Sequence, residues 1–363
     1  WKQFFASYFR TVMKPVYITG ASAISPQPTF DRDDLEKVVA YDTHPLNVIV
    51  PDITGYVDPN RVRRMTRHTR IGLMAALNAL KRADVKEPSA VIMGTGDGCK
   101  DSVARFLDNM IDHDETVANP TAFIGSTHNS LAGQIAMAVN SKAYNYTYLQ
   151  RGLSFSSALM DGLMHVGSED ARNVLVGAAD VITPDFYITH RRTGLWKNHA
   201  VKNLEVLNST DNGALAGEGS AFFVLDSEPG KNAVEILGVD AFFKPGEVHV
   251  KDRAEKLFAK NNRTLNDVDL VLLGYNGDHT QDRAYDTVRA QFPNATIACY
   301  KPLFGEFYTA NALGVWMGYS AIRSGSIPKE IAMQGRSSGG FKNVLIYDHY
   351  QLKDHVLVGL GAV

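Results

Sequence analysis

Residues 146–155, with the sequence YTYLQRGLSF, join a predicted strand to a predicted helix through a sharp turn. A strand, a tight turn and a helix in this order are typical of a site that exposes a nucleophile at the start of the helix. The turn offers Gln150, Arg151 and Gly152, none of which has a good nucleophilic side chain. The segment therefore predicts the frame of a nucleophile site without its reactive atom.

A second segment with possible chemistry is NGDHT, where Asp278 and His279 follow a predicted strand. Strand ends are a common place for catalytic groups in open α/β sheets. An aspartate that stabilises the turn and a solvated histidine explain the same pair, and we favour this second interpretation. His349 and His355, in the segment YDHYQLKDH between two apolar strands, are expected to be exposed in a hairpin loop.

Other motifs that would bind a metal or a cofactor are lacking. There is no HExxH pair and no dense cluster of carboxylates, and the glycine strings GTGDG and GEGSA match neither the dinucleotide-binding nor the P-loop pattern. Tight turns explain the glycines, so we expect no metal and no cofactor.

Composition narrows the class of protein. A chain of 363 residues with a net charge of −2 suits one large or two moderate globular domains and does not suggest a polyanionic partner. The basic segment at residues 61–70 precedes an apolar helical run and predicts a solvated or interface-facing helix start rather than a nucleic-acid site. Cys99 and Cys299 form no disulfide or metal framework, which fits the cytoplasm, and no apolar run is long enough to span a membrane.

Strand-like and helix-like segments alternate along the chain, which predicts an α/β protein with a mostly parallel sheet covered on both faces. The order of elements is similar before and after Gly230, which is compatible with an internal duplication. Residues 1–12 precede the first methionine, Met13, and lack the small-residue cleavage pattern of a signal peptide. We interpret them as an extension, or as sequence upstream of the natural start, and leave them out of the fold.

Several segments together, from about residue 13 to about residue 328, resemble the β-ketoacyl synthases of the thiolase superfamily. They stand in the family's order and are PTAFIGSTHNSLAGQIAM, VGAAD, GEGSAFFVLD, GYNGDHTQDRAYDT and YKPLFGEFYTANALGVWMGYSAIRSGSIP. The resemblance implies a thiolase-like fold of two related halves in an α-β-α-β-α layered arrangement. The halves would be residues 13–229 and a shortened residues 230–363.

The departures from the family fall on its chemistry. These synthases use a cysteine at the elbow to carry an acyl group and two histidines to assist decarboxylation. The cysteine position corresponds to Gln150, the first histidine to Asn276 and the second to Glu306, whereas Lys301 stands as in the family. An amide cannot carry the acyl group, and an ionised Glu306 would repel a developing oxyanion. The gating Phe-Gly-Phe-Gly-Gly loop is also replaced, so the resemblance implies that condensation is lost.

Within the superfamily, glutamine at the elbow is typical of chain-length factors and of loading domains that decarboxylate malonyl groups. Loading domains keep the histidines, so their loss favours the chain-length factor. This implies a non-catalytic subunit that pairs with an active ketosynthase, or with itself, and meets acyl carrier protein in a fatty-acid, aryl-polyene or polyketide pathway. Tyr146, Tyr148 and Phe155 would line the acyl pocket, although ordinary core aromatics explain them equally well.

Two alternatives remain. Glu306, Lys301, Asp278 and His279 could converge as a new acid–base set in a divergent acyl-thioester hydrolase or decarboxylase. The chain could also be a homodimeric module that binds an acyl group or another metabolite. Neither alternative involves nucleic acid or a membrane.

Overall fold

A computed structural model of the protein describes residues 13–52, 55–57, 65–244 and 249–363. Within these residues, eleven strands form one continuous sheet in the order β3-β2-β4-β5-β1-β6-β11-β10-β7-β8-β9. The strands are β1 Tyr17–Ile24, β2 Ala90–Gly94, β3 Tyr144–Tyr148, β4 Asn173–Asp180, β5 Gly219–Asp226, β6 Val234–Phe243, β7 Leu270–Leu273, β8 Thr296–Cys299, β9 Ala332–Gln334, β10 Asn343–Tyr350 and β11 Asp354–Ala362.

The sheet consists of two halves with the same topology, joined where β1 pairs with β6. Outward from this junction the first half runs β1-β5-β4-β2-β3 and the second runs β6-β11-β10-β7-β8, with β9 added at the edge. Corresponding pairs also agree in direction: the two inner pairs are antiparallel and the two outer pairs are parallel in each half. This gives the two related halves expected from the sequence. The division near Gly230 stays a prediction, since the two halves share one sheet.

The expectation of a mostly parallel sheet is wrong. Among the described strands, only β2 and β7 pair in parallel with both of their neighbours, and the other pairings are antiparallel. A parallel pair requires a crossover connection, usually a helix. No helix separates β5 from β6 or β10 from β11, and β10 turns directly into β11 at Gln351 and Leu352, both with positive φ. The sheet is therefore mixed.

Two helices lie between the halves of the sheet and others cover its outer faces. Helix α5 contacts β2 and β4 of one half and β6 of the other, and α10 contacts β5, β1, β10 and β11. On the outside, α1 packs on β1 and β5, and α7 packs on β6 and β11, which completes the layered arrangement. The helices are α1 Arg67–Arg82, α2 Lys100–Asp112, α3 Pro120–Ser126, α4 Ser130–Ala138, α5 Ser154–Gly167, α6 Pro184–Arg192, α7 Val250–Ala259, α8 His279–Arg289, α9 Lys301–Phe304 and α10 Ala310–Ser324.

The strands and long helices predicted from the quoted segments are all present, whereas α6, α9 and β9 had no counterpart in the sequence analysis. These elements are short, and α6 has no buried residue that would give it an apolar pattern. No helix in the described part of the chain is both long enough and apolar enough to cross a membrane.

The basic segment is not a solvated helix start where the structure describes it. Thr66 caps α1, Arg67 forms an ion pair with the buried Glu218, and His68 is fully buried. Glu218 also accepts hydrogen bonds from the backbone nitrogens of Val48 and Ile182. One buried carboxylate therefore binds the start of α1 to two other segments of the chain. The arginines at positions 61, 63 and 64 lie outside the described residues.

Gly94, at the end of β2, allows the start of α5 to approach the sheet. A Cβ atom at this position would lie 2.5 Å from the carbonyl of Ser154 and 2.6 Å from the amide nitrogen of Phe155. We predict that Gly94→Ala lowers the free energy of unfolding by about 1–3 kcal/mol, because the backbone must move to relieve the overlap. Urea denaturation measures this change.

Gly133→Ala is the matched control, because a Cβ at this α4 position meets nothing within 4 Å. It should raise the stability by about 0.5–1 kcal/mol, since alanine is the better helix former. Equal effects of the two substitutions would contradict the close packing of α5 against β2.

Candidate functional site

The nucleophile elbow predicted from the sequence is present. Strand β3 ends at Tyr148, a single 3-10 turn covers Arg151–Leu153, and α5 begins at Ser154. The backbone nitrogen of Gln150 donates a hydrogen bond to Ser154 Oγ at 2.8 Å, and Ser157 Oγ donates to Gln150 Oε1 at 2.6 Å. The glutamine thus places a hydrogen-bonded amide at the turn that precedes the helix.

The tip of the elbow is held in a conformation that is unfavourable for most residues. Arg151 has φ of 51°, in the left-handed region. The next residue, Gly152, is fixed from both sides: its nitrogen donates to Asp354 Oδ2 at 3.1 Å and its carbonyl accepts from Asn311 Nδ2 at 3.2 Å. The surrounding structure therefore maintains the sharp turn although no reactive group occupies it.

The three positions that correspond to the family's remaining catalytic residues meet in one buried cluster. Glu306 Oε2 lies 2.8 Å from Lys301 Nζ and accepts a hydrogen bond from Asn276 Nδ2 at 2.7 Å. All three side chains are buried. Backbone turns place them, because Gly305, with φ of 76°, directs the chain so that the Glu306 nitrogen donates to the Leu215 carbonyl.

Asp348 is a further member of the cluster that the sequence analysis missed. Its Oδ1 lies 2.7 Å from Lys301 Nζ and accepts a hydrogen bond from Tyr285 at 2.9 Å. It lies on β10, in the segment that was interpreted as a hairpin loop. The apolar run that precedes Asp348 was the signal that could have placed this residue on a strand.

The charges in the cluster depend on one another. Burial disfavours the Lys301 ammonium, but the charges of Asp348 and Glu306 outweigh it and raise the pKa of Lys301. Burial raises the pKa of Glu306 to about 7, although Lys301 opposes this shift. One cation between two carboxylates leaves an excess negative charge, so near neutral pH a proton is shared within the group.

His349 and His355 are not exposed, contrary to expectation. They face each other in the register of β10 and β11 and are both 1% exposed. The His349 ring stacks on Tyr285 at 4.3 Å between centroids, and Tyr347 Oη lies 3.0 Å from His355 Nδ1. Burial lowers the pKa of both imidazoles, so they are neutral parts of the core. The loop is shorter than predicted, which moves both histidines into the strands.

Among the described residues, the side chains of Asp278 and His279 form no hydrogen bond with the cluster, although the backbone nitrogen of Asp278 donates to Asn276 Oδ1 at 2.9 Å. Asp278 caps α8, where its carboxylate accepts from the backbone nitrogen and the hydroxyl of Thr280. His279 is exposed, and its Nε2 accepts from Arg283 at 2.9 Å. Both residues therefore agree with the interpretation favoured from the sequence, in which Asp278 stabilises the turn and His279 is solvated. Of the proposed acid–base set, the structure brings together Glu306 and Lys301.

Two tyrosines fill the space between the elbow and the buried cluster. The Tyr350 side chain lies against Gly152, and its ring centroid is 4.8 Å from that of Tyr308. Burial raises the pKa of both tyrosines. The charge of Glu306 raises the pKa of Tyr350 further, whereas the charge of Arg151 opposes the shift in the pKa of Tyr308. The cavity beside the tyrosines, which Asp97 and Asp180 also line, has a volume of about 10 Å³. This is at most the space of one water molecule, so this cavity has no room for an acyl group in this conformation.

The aromatic residues expected to line the acyl pocket lie in different environments. Phe155 is fully buried in the core, 5.8 Å from Phe223 between ring centroids. Tyr146 is 47% exposed on the edge strand β3, and Tyr148 lies half-buried beside it. A pocket formed by all three remains a prediction.

Comparison with known proteins agrees with this fold. The family model for the β-ketoacyl synthase N-terminal domain matches residues 16–229, which is more than half of the chain. The chain therefore belongs to the β-ketoacyl synthase family. Its structure lacks the cysteine and the two histidines that the resemblance associates with condensation, so it is a divergent member. No curated protein matches the chain at the level of sequence.

Solved structures show the same thiolase-like fold. The ishigamide ketosynthase/chain length factor is 17% identical over 97% of this chain and 100% of the other, with a TM-score of 0.75. AntDE:AntF, a type II polyketide ketosynthase in complex with its acyl-carrier protein, is 13% identical over 97% and 100%, with a TM-score of 0.75. The ketosynthase ApeO in complex with its chain length factor ApeC from Xenorhabdus doucetiae is 14% identical over 96% and 98%, with a TM-score of 0.74. At these identities the likeness is one of fold.

The raised pKa of Glu306 predicts how stability depends on pH. The folded protein binds this proton with a pKa of about 7, against an ordinary value of 4.5, so stability falls as the pH rises between these values. Glu306→Gln removes this titration. We expect the loss of unfolding free energy between about pH 5 and about pH 8 to shrink by on the order of 1–3 kcal/mol. Urea denaturation at both pH values measures it.

Part of the slope should remain, because burial also raises the pKa of Asp282 to about 6. Glu255→Gln, at a side chain that is 53% exposed on α7, is the control and should leave the pH dependence unchanged. An unaltered slope in Glu306→Gln would mean that the extra proton is not held by this carboxyl.

Proposed function

We propose that the protein is a non-catalytic, chain-length-factor-like subunit that pairs with an active ketosynthase in the cytoplasm. The observation that carries this proposal is the joint loss of the reactive groups on a preserved scaffold. Gln150 stands at a strained elbow, and Asn276 and Glu306 form a closed cluster with Lys301. A single substitution would be compatible with altered chemistry, whereas three together remove both the acyl carrier and the oxyanion donors.

The filled site supports the same proposal. Tyr350 lies against Gly152 of the elbow and contacts Tyr308, so the two rings reduce the space for an acyl group there. Their environment also includes Asp97 and Asp180, so the pocket is crowded with groups that would oppose a developing negative charge. A subunit that only positions a partner's substrate has no need of this space.

The edge strand β3 supplies the surface for a partner. It ends the sheet, so within the described part of the chain one side of its backbone has no neighbouring strand, and Tyr144 and Tyr146 are 43% and 47% exposed. The flanking helices add exposed Met137 on α4 and Met160 and Met164 on α5. A free edge with a surrounding apolar surface favours association with another sheet. The solved complexes of ketosynthases with chain length factors or acyl-carrier protein make a ketosynthase the first partner to test.

We expect Tyr146→Asp to weaken association with the partner ketosynthase by at least about tenfold, because it places a charge at a desolvated edge. Size-exclusion chromatography and titration of the co-expressed pair measure this. Phe243→Asp is the control, since Phe243 is 60% exposed at the end of β6, away from the β3 edge. A wild-type protein that forms stable homodimers and ignores every co-expressed ketosynthase would contradict the proposal.

The isolated protein should not condense acyl and malonyl groups presented on carrier protein. Gln150→Cys restores a thiol at the elbow but not the histidines, so its rate should stay at least about 100-fold below that of an intact ketosynthase. Product analysis by mass spectrometry measures both variants. Condensation by the wild-type protein would refute the non-catalytic role.

One observation favours a second candidate, a divergent acyl-thioester hydrolase or decarboxylase. A pKa of about 7 is suited to a general acid or base near neutral pH, and Glu306 has it. Incubation of the purified protein with malonyl or acyl carrier protein decides between the two functions. Turnover that is lost in Glu306→Gln and kept in Glu255→Gln would establish the enzyme.

A further inference from the structure

Helices α2 and α3, with the loop that joins them, are covered very little by the rest of the described chain. Each helix buries a single residue, Ser102 in α2 and Ala122 in α3. The two helices pack mainly on each other, and the ring centroids of Phe106 and Phe123 are 5.4 Å apart. We refer to residues 100–126 as the arm.

The uncovered side of the arm is apolar. The apolar residues of α2 recur with a helical period, which is typical of a helix that packs one face against another surface. Two of them, Leu107 and Ile111, are exposed, Ile111 to 71%. On α3, Phe123 and Ile124 are exposed as well, Ile124 to 68%. Clustered apolar side chains of this kind mark a surface that binds another molecule.

The arm is also acidic. Asp108, Asp112, Asp114 and Glu115 are all exposed, and none of them forms an ion pair with another described residue. The sequence contains no lysine or arginine from residue 106 to residue 141. The last three of these acids lie at the C-terminal end of α2, where the helix dipole disfavours negative charge. Cations from another molecule would relieve this unfavourable arrangement.

A groove connects the arm to the edge of the sheet. It has a volume of about 560 Å³ and lies between α2, α3, α4 and the start of α1, with Ile124 and Met137 on its wall. Helix α4 packs in turn on β3, where Asn145 Nδ2 donates a hydrogen bond to the carbonyl oxygen of Ala132 at 3.0 Å. The arm, the groove and the β3 edge therefore form one continuous surface.

We propose that the arm binds the partner ketosynthase, and that its acids select a partner surface with lysine or arginine around an apolar centre over a second copy of this chain. This inference rests on the function proposed above and adds the chemistry by which the partner is recognised. The apolar side chains of the arm supply the buried centre of the interface, and Asp108 and Asp112 meet cations at its rim.

A second copy of this chain is the poorer partner for this surface. A twofold pairing brings the same patch of both copies together. The acids of one arm would then face those of the other, while the nearest cations in the chain, Arg105 and Lys142, lie at the two ends of the acidic segment. Like charges in one interface oppose association and thereby favour a different, basic partner.

The first experiment reverses the charge of the arm in the full chain. Asp108→Lys combined with Asp112→Lys should weaken the complex with the co-expressed ketosynthase by at least about tenfold at low salt, because attraction to a basic rim becomes repulsion. Salt should weaken the wild-type complex more than the variant complex. Titrations followed by sedimentation velocity measure both effects. The new cations suit the C-terminal end of α2, so the fold should be kept, which circular dichroism checks.

Asp252→Lys combined with Glu255→Lys is the matched control. Both residues are exposed on α7, which packs on β6 and β11 and not on the β3 edge. This variant should bind the ketosynthase as the wild-type protein does. Equal effects of the two double variants, with wild-type pairing intact, would overturn this inference and leave the proposed function standing. A wild-type protein that pairs with no ketosynthase would overturn both.

The second experiment needs no ketosynthase. Asp108→Lys combined with Asp112→Lys places cations beside the remaining acids of the arm, so self-association of the isolated chain should become at least about tenfold tighter at low salt. Adding Ile111→Ser to this variant should cancel the gain, because it removes an apolar contact from the same surface. Sedimentation equilibrium measures each dissociation constant. Self-association that the charge reversal leaves unchanged or weakens would contradict the selection against a second copy.

Discussion

Lys301 is fully buried, and a buried ammonium is stable only when opposite charges and hydrogen bonds surround it. Asp348 and Glu306 supply the charges, from β10 and from the turn after α9. The removal of either partner would leave a charge in a medium that cannot solvate it. Asn276, which follows β7, donates a hydrogen bond to the same Glu306. The Lys301 ammonium therefore helps to fix the positions of β7, β10 and α9 relative to one another.

The cluster also depends on how closely the two halves of the chain approach. A Cβ atom on Gly217 would lie 2.0 Å from the carbonyl oxygen of Phe304, and Gly305 meets the backbone of Gly217 from the other side. These two glycines let the segment before β5 lie directly against the turn that carries Glu306. The close approach of the two backbones therefore fixes the position of the turn that carries Glu306.

The interior of the site is correspondingly closed. Tyr308 and Tyr350 lie between the elbow and the cluster. The raised pKa of Glu306 is the feature of the cluster that is compatible with acid–base chemistry. Asp180, the last residue of β4, connects the loop after β2 with the start of α10. Its carboxylate accepts hydrogen bonds from Thr95, Gly96 and Thr309.

The sequence by itself predicted the alternation of strands and helices, the elbow and the family. Apolar periodicity and glycine positions are local signals. Each motif around Gln150, Asn276, Lys301 and Glu306 is likewise one continuous stretch of the chain. The capping role of Asp278 was also readable, because a cap acts on its own helix.

Only the tertiary structure decided what these residues contact. Nothing in the sequence around Asp348 places it on Lys301, since β10 and the start of α9 are distant in the chain. The burial of His349 and His355 and the antiparallel pairings were missed for the same reason. Burial, charge pairing and strand register are properties of the packed sheet, and a periodicity confined to one segment does not encode its neighbours.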